Sequence, residues 1–343
     1  MIEPWPAEGI ERVAACPICG HTGRVPLFEH LTDEIFHAGP GAWTLNSCES
    51  CRSGYLDPRP TADSIHLAYR GYHTHEVTEQ RPASELRGLR RLQRVFANGY
   101  KNWRFGTDFQ PSSRWGAMVA FLLPVQRAIL DRQFRHLPFP PPNGRVLDIG
   151  FGDAGFMENA RAMGWRVVGT DFDPEVVESA RSRGFDARLG TVDEVEGPFE
   201  AITMSHVIEH VHDPVAVLRA CHRLLAPGGT LWLETPNIEA GGLRRFGRHW
   251  RGLEPPRHLV LFNRRSLEQA LRSAGFAKVS DLRQPSPVDG IYMMSAQLAA
   301  GADPCAPARV PFALKAETFL AKLFQWAWKP RREFLAVTAV KAA

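Results

Sequence analysis

The sequence predicts an α/β protein: a parallel sheet with helices on both faces, preceded by a small four-cysteine module and a helical cap. Three observations lead there. Two C-x-x-C pairs, Cys16-Pro17-Ile18-Cys19 and Cys48-Glu49-Ser50-Cys51, stand near the front with 28 residues between them. A proline-rich break, PFPPPNG at 138–144, forbids regular structure and marks a boundary. From Arg145 onward, short apolar runs alternate with helical periods.

Taken in order, the cysteine pairs come first. Zinc takes four soft donors at tetrahedral corners, and a tight C-x-x-C turn presents two thiolates from one knuckle. Cys16, Cys19, Cys48 and Cys51 therefore read as a closed structural Zn2+ site, with Gly20 allowing the first knuckle to turn and Gly54 doing similar work near the second. Disulfides are the weaker reading, because the N-terminal MIEPWPAEGIERV lacks the basic flank and apolar run of a secretory signal. The module is placed at 1–60.

Residues 61–143 read as a helical linker or substrate cap. It holds the cluster Tyr69, Tyr72 and His73 and helices over 85–100 and 113–137, the second kinked at Pro124. Residues 144–343 form the main domain. Strands are predicted at 145–149, 166–170, 199–205 and 229–234, with later ones at 278–283 and 334–341. Helices are predicted near 154–163, 174–183, 214–225 and 266–274. Asp173-Pro174 and Asp213-Pro214 read as helix N-caps followed by proline. Residues 284–331 are an insertion ending in an amphipathic, basic stretch at 313–330.

The stretch RVLDIGFGDAGF at 145–156 joins a strand to a helix through Gly150, Gly152 and Gly155, so a ligand can approach its backbone closely. Asp171 ends the next strand, where a carboxylate can accept from ribose hydroxyls. A dinucleotide and S-adenosylmethionine both fit to this point. Asp148 separates them: a carboxylate is poorly placed beside a pyrophosphate but suits the ammonium and sulfonium of S-adenosylmethionine.

LDIGFGDAG, VVGTDFDPEVVESAR, MSHVIEHVHDP, HRLLAPGGTLWLETPN and EPPRHLVLF, in this order, resemble class I S-adenosylmethionine-dependent methyltransferases with a Rossmann-like sheet. More narrowly, with C-P-x-C-G and YLDPRPT in front, the chain resembles the branch with a zinc-ribbon-like module that includes deoxysugar C-methyltransferases and enzymes of polysaccharide and natural-product pathways. The resemblance implies that Asp148, Gly150 and Gly152 face the methionine part of the cofactor, Asp171 the ribose and Phe172 the adenine. It implies that Val192 and Asp193 lie along the adenine segment and that His206 lines the cleft. The family pattern D-x-G-x-G-x-G has its third glycine replaced by Ala154.

A base is needed if the acceptor is a hydroxyl or an acidic carbon. Glu209-His210 is the first candidate, and in the resembled C-methyltransferases such a pair is implicated in proton abstraction. His258, held by Pro255-Pro256, is the second, and Tyr72 is a third. The implied reaction is C- or O-methylation of a small polar acceptor such as a sugar or sugar nucleotide. An RNA methyltransferase and a non-catalytic binding protein are the alternatives. A net charge of only +4, without a basic stripe interleaved with aromatics near the cysteines, argues against nucleic acid. The longest mainly apolar run, 115–125, is well short of the ~20 residues that span a bilayer. A cytoplasmic protein is expected. The helices at 85–137 and 313–330 offer a peripheral membrane contact but are expected by default to pack as a lid. Oligomeric state is not legible.

Overall fold

The computed structural model describes residues 5–37, 39–69, 87–307, 309–327 and 329–343. In chain order the front of the protein carries strands β1 (Ile10–Glu11), β2 (Arg24–Leu31), β3 (Trp43–Cys48), β4 (Gly54–Leu56) and β5 (Arg59–Pro60). Helices α1 (Gly88–Phe105), α2 (Gly116–Leu122) and α3 (Pro124–Gln133) follow. Then come β6 (Arg145–Ile149), α4 (Gly155–Ala162), β7 (Arg166–Asp171), α5 (Pro174–Ser182), β8 (Asp186–Leu189) and β9 (Phe199–Ser205). They are followed by α6 (Pro214–Leu224), β10 (Leu225–Pro236), α7 (Gly241–Phe246), β11 (Val260–Leu261), α8 (Arg264–Ser273) and β12 (Lys278–Asp281). The last are α9 (Val288–Ala299), α10 (Phe312–Ala327) and β13 (Phe334–Val340).

The seven-stranded sheet has the order β12-β13-β10-β9-β6-β7-β8. Pairing of β6 with both β7 and β9, and of β7 with β8, is parallel. Numbered within this sheet the order is 3-2-1-4-5-7-6, with its topological switch point beside β6, and the fold is a Rossmann-like α/β sheet. All six strands predicted from the alternation are present; β8 was not predicted, because Asp186–Leu189 is short and half exposed.

The chain divides into two compact units. One comprises Met1–His73, Ser205–His222 and Leu233–Ala339; the other comprises Thr74–Met204, Arg223–Trp232 and Val340–Ala343.

In the second unit, one buried cluster sets Tyr100, Phe105 and Phe134 against Val146, Phe156 and Trp165, with the Phe105 and Phe134 rings stacked at 4.1 Å. Another gathers Phe151, Met157, Val176, Val177 and Phe185. The predicted kinked helix over 113–137 is two helices instead. Proline lacks an N–H and disfavours helical backbone in the residue before it, and Leu123 adopts a non-helical ψ of 73°. Helix α1 runs past its predicted end to Phe105, where Gly106 at φ 70° closes it. Asp173 caps α5 as expected, accepting from the Glu175 amide at 2.9 Å.

In the first unit, β2, β3, β4 and β11 form an antiparallel sheet in which β11 comes from far along the chain. Asp213 caps α6 through the Ala216 amide at 2.8 Å, as expected. Gly54 has a different task from the one expected: it is a strand residue whose side-chain position is filled by Ile238 Cδ1, 2.4 Å from where a Cβ would lie. The left-handed residue of the second knuckle is Arg52, at φ 62°, matching Gly20 at φ 73° in the first.

Candidate functional site

The two knuckles are built alike. The Cys16 amide donates to His21 O at 2.9 Å, and the Cys48 amide donates to Ser53 O at 2.9 Å. Their sulfurs converge: Cys16 and Cys51 Sγ lie 3.6 Å apart, Cys19 and Cys48 Sγ 3.5 Å, and all four fall within 4.8 Å of one another. A tetrahedral zinc with bonds of ~2.3 Å has sulfur–sulfur edges of roughly 3.8 Å, so the donor set and its spacing fit that ion.

The module is tied to β11 and to the segment just before it, which carries site residues. Leu259 accepts from the Leu56 amide at 3.0 Å while its own N–H donates to Glu209 O at 2.8 Å. Asn263 Nδ2 donates to Cys51 O at 2.9 Å. Just before Leu259, Arg257 is wholly buried. It pairs with Asp33 at 2.7 Å and Glu254 at 3.1 Å and donates to Ala68 O at 2.7 Å. Position 258 is thereby held from both sides.

Around it the predicted Glu209, His210 and His258 come together. One carboxylate oxygen and two imidazole nitrogens lie within 4.8 Å of one another, and the two rings are 4.8 Å apart. His210 Nδ1 lies 3.0 Å from Arg257 O and 3.2 Å from the Tyr69 hydroxyl. A carbonyl only accepts, so Nδ1 donates to it, and in the neutral ring the lone pair falls to Nε2. His258 Nδ1 likewise donates to Gly252 O at 2.9 Å. Burial, the largest influence on His258, lowers it to about 4 and keeps it neutral at physiological pH. Glu209 is fully buried and accepts from Thr235 Oγ1 at 2.9 Å. Burial alone would raise its carboxyl, but the hydrogen bond and charge of His206 bring it below the usual carboxylate range.

His206 leaves β9 in left-handed backbone, φ 55°. Its Nδ1 meets Glu209 Oε1 at 3.2 Å and its Nε2 meets Glu234 Oε1 at 3.3 Å. Burial opposes its charge, but these two carboxylates outweigh it and raise the ring to about 9. Tyr72 lies outside the described residues; Tyr69, from the same predicted cluster, is the aromatic that reaches His210. Trp250 is buried and donates to Glu333 Oε2 at 2.8 Å, so it anchors a loop.

In the second unit, Asp148 is fully buried, and its Oδ1 accepts from Arg135 and, at 2.9 Å, from Thr203 Oγ1. Burial pushes the carboxyl up against the pull of Arg135. Its Oδ2 is buried with no hydrogen-bond partner among the described residues, an acceptor that fits a ligand donor such as the ammonium of S-adenosylmethionine. Arg135 carries no sequence signal of this role, since it follows α3 and belongs to no motif.

Gly150 and Gly152 have φ of 64° and 55°, as the close approach of the loop demands. The Gly152 amide donates to Asp171 Oδ2 at 3.1 Å. Ala154 keeps left-handed backbone, φ 59°, although it replaces the pattern's glycine. The left-handed conformation costs about 1 kcal/mol. Its methyl is buried among Phe151 and Met157, which regains roughly 0.8 kcal/mol. The two effects nearly offset, so the loop tolerates the change. Phe172 is exposed, Val192 is buried, and Asp193 turns outward to Arg223 at 3.3 Å.

Residues 124–281 match the family model of a methyltransferase domain. A ubiquinone biosynthesis O-methyltransferase of Xanthomonas oryzae pv. oryzae is 41% identical over 103 residues, 27% of this chain and 43% of that protein. One of Xanthomonas campestris pv. campestris is 40% identical over 106 residues, 28% and 44%. The chain thus spans less than half the length of the curated relatives it matches. Among solved structures, a SAM-dependent methyltransferase from Archaeoglobus fulgidus aligns at TM-score 0.43 and 17% identity, covering 64% of this chain and 99% of that one. A Haemonchus contortus phosphoethanolamine N-methyltransferase 2 in complex with S-adenosyl-L-methionine aligns at 0.41 and 18%, covering 84% and 63%. The segment 124–281, which holds β6, its glycine loop and Asp171, is thus similar to a methyltransferase domain.

Proposed function

We propose that the protein transfers a methyl group from S-adenosylmethionine to a small polar acceptor, a sugar, a sugar nucleotide or a related natural product, at carbon or oxygen. The observation that carries this reading is the contact of His210 Nδ1 with Arg257 O at 3.0 Å: with Nδ1 donating there, the neutral ring has Nε2 to take a proton from the acceptor. Glu209, ionised within the fold, stabilises the imidazolium that forms. His258, kept neutral with its Nε2 toward Glu254, packs beside the His210 ring and positions it, and His206 acts as a positioning residue that holds Glu209.

Asp148, Gly150, Gly152, Asp171, Phe172, Val192 and Asp193 would hold the cofactor, which when bound supplies a methyl group on a positively charged sulfur that already leaves readily. Residues 1–60 form the zinc module, whose task is to hold the segment Arg257, His258 and Leu259 that leads into β11. Residues 61–143 form the linker and cap, and 144–343 the catalytic domain with its insertion at 284–331.

A second reading, O-methylation of a phenolic acceptor, is favoured by the local 41% identity to ubiquinone biosynthesis O-methyltransferases. It needs the same base. The test is transfer of methyl-labelled S-adenosylmethionine to pools of sugar nucleotides and of phenols. Label is expected in one small-molecule pool, and His210→Ala should cut turnover by roughly 10²- to 10⁴-fold with cofactor binding retained. Label confined to RNA, or equal turnover in the variant, would overturn the proposal.

A further inference from the structure

The helices after the front module carry an apolar face that the described residues leave uncovered. Leu89, Leu92 and Trp103 lie on one stripe of α1 and are all at least half exposed. On α2, Gly116 and Ala120 face inward, and Met118, Phe121 and Leu122 face outward, Leu122 at 75% exposure. Leu123, Val125 and Ile129 continue the surface into α3. The helices are locked together beneath it. A Cβ on Gly99 would sit 1.9 Å from Ser113 O, and one on Gly116 would sit 2.4 Å from Phe96 O, so the two backbones touch. Above this contact the Trp103 and Phe121 rings meet edge to face at 5.7 Å. The outward apolar face is therefore one built surface, larger than isolated exposed side chains account for.

Its charge is as distinctive. Residues 87–135 hold ten Lys and Arg against two Asp, in a chain whose net charge is only +4. Two of these cations rim the apolar face: Arg114 lies over the Trp115 ring at 5.1 Å, and Arg127 lies over Phe121 at 5.0 Å.

We propose that the α1–α3 face docks the protein peripherally on an anionic lipid surface. Lipid satisfies both properties at once: Leu122, Phe121, Met118 and Val125 enter the boundary between headgroups and acyl chains, and the arginines meet lipid phosphates. Trp103 and Trp115 suit the same interface. A second copy of this chain is the poorer occupant, because a two-fold contact brings the cationic patch against itself. RNA has no use for the aliphatic part of the face, which offers bases nothing to stack on. No helix among the described residues is long and apolar enough to cross a membrane.

The test is co-sedimentation of the full chain with vesicles of phosphatidylcholine alone and of phosphatidylcholine with an equal part of phosphatidylglycerol. Binding is expected to the mixed vesicles, to weaken with salt, and to be poor on phosphatidylcholine alone. Leu122→Glu and Phe121→Glu should each weaken it roughly tenfold with an unchanged melting curve, and Arg127→Glu should do so only for the anionic vesicles. Three results would overturn the proposal: no binding to the mixed vesicles, a dimer that Leu122→Glu dissolves in a protein that ignores vesicles, or salt-sensitive RNA binding without vesicle binding.

Discussion

His206 allows a quantitative test of the electrostatics around Glu209. Its ring lies between Glu209 and Glu234, both buried, at 3.2 and 3.3 Å, and its proton is held up to about 9. Because the folded value lies above the ordinary one near 6.5, the stabilisation is fully present below about pH 6.5 and is lost as pH rises through 9. At about 1.4 kcal/mol per tenfold change in proton affinity, the ceiling is roughly 3 kcal/mol. The side chain is 34% exposed, so solvent screening brings the expectation down to roughly 1.5 kcal/mol. The perturbation is His206→Asn, followed by urea unfolding of both proteins from pH 6 to pH 10. Wild type should exceed the variant by roughly 1.5 kcal/mol at pH 6, with the gap closing toward pH 10. A histidine that titrates near 6.5 by NMR, or a gap that does not change with pH, would refute the reasoning.

Two further outcomes follow from the first unit. Arg257→Met removes the buried guanidinium that Asp33 and Glu254 share, leaving Glu254 to Arg251, and should cost roughly 3–5 kcal/mol of stability, read by urea unfolding; a loss below about 1 kcal/mol would show that the pair is solvated. Metal analysis should find one zinc per chain, absent from Cys48→Ser, and that variant should lose turnover because β3 and β4 no longer hold Leu259 and His258. A second tightly bound metal that disappears with His258→Ala would instead assign Glu209, His210 and His258 as ligands and contradict the base.

Features written locally were legible in the sequence. RVLDI, RVVGTD and FEAITMS are short apolar runs bounded by turns, and they are strands. Asp173 and Asp213 cap because the residues they bind are two or three positions away. The paired cysteines predicted their own convergence. What escaped was built from distant positions: β11 pairs with β4 across some 200 residues, and Arg257 meets Asp33 across 224. Arg135 reaches Asp148 from the end of a helix whose sequence signals only packing. The exposure of the α1–α3 face escaped for a related reason, since helical periodicity reports that a face is apolar but not whether anything covers it.

The account rests on the loop after β6 and Asp171 as a site for S-adenosylmethionine. Isothermal titration of the intact protein with that cofactor tests this most directly. The account predicts saturable one-to-one binding, weakened roughly ten- to hundredfold by Asp171→Ala. No binding heat across a range of temperatures, or equal affinity in the variant, would contradict it.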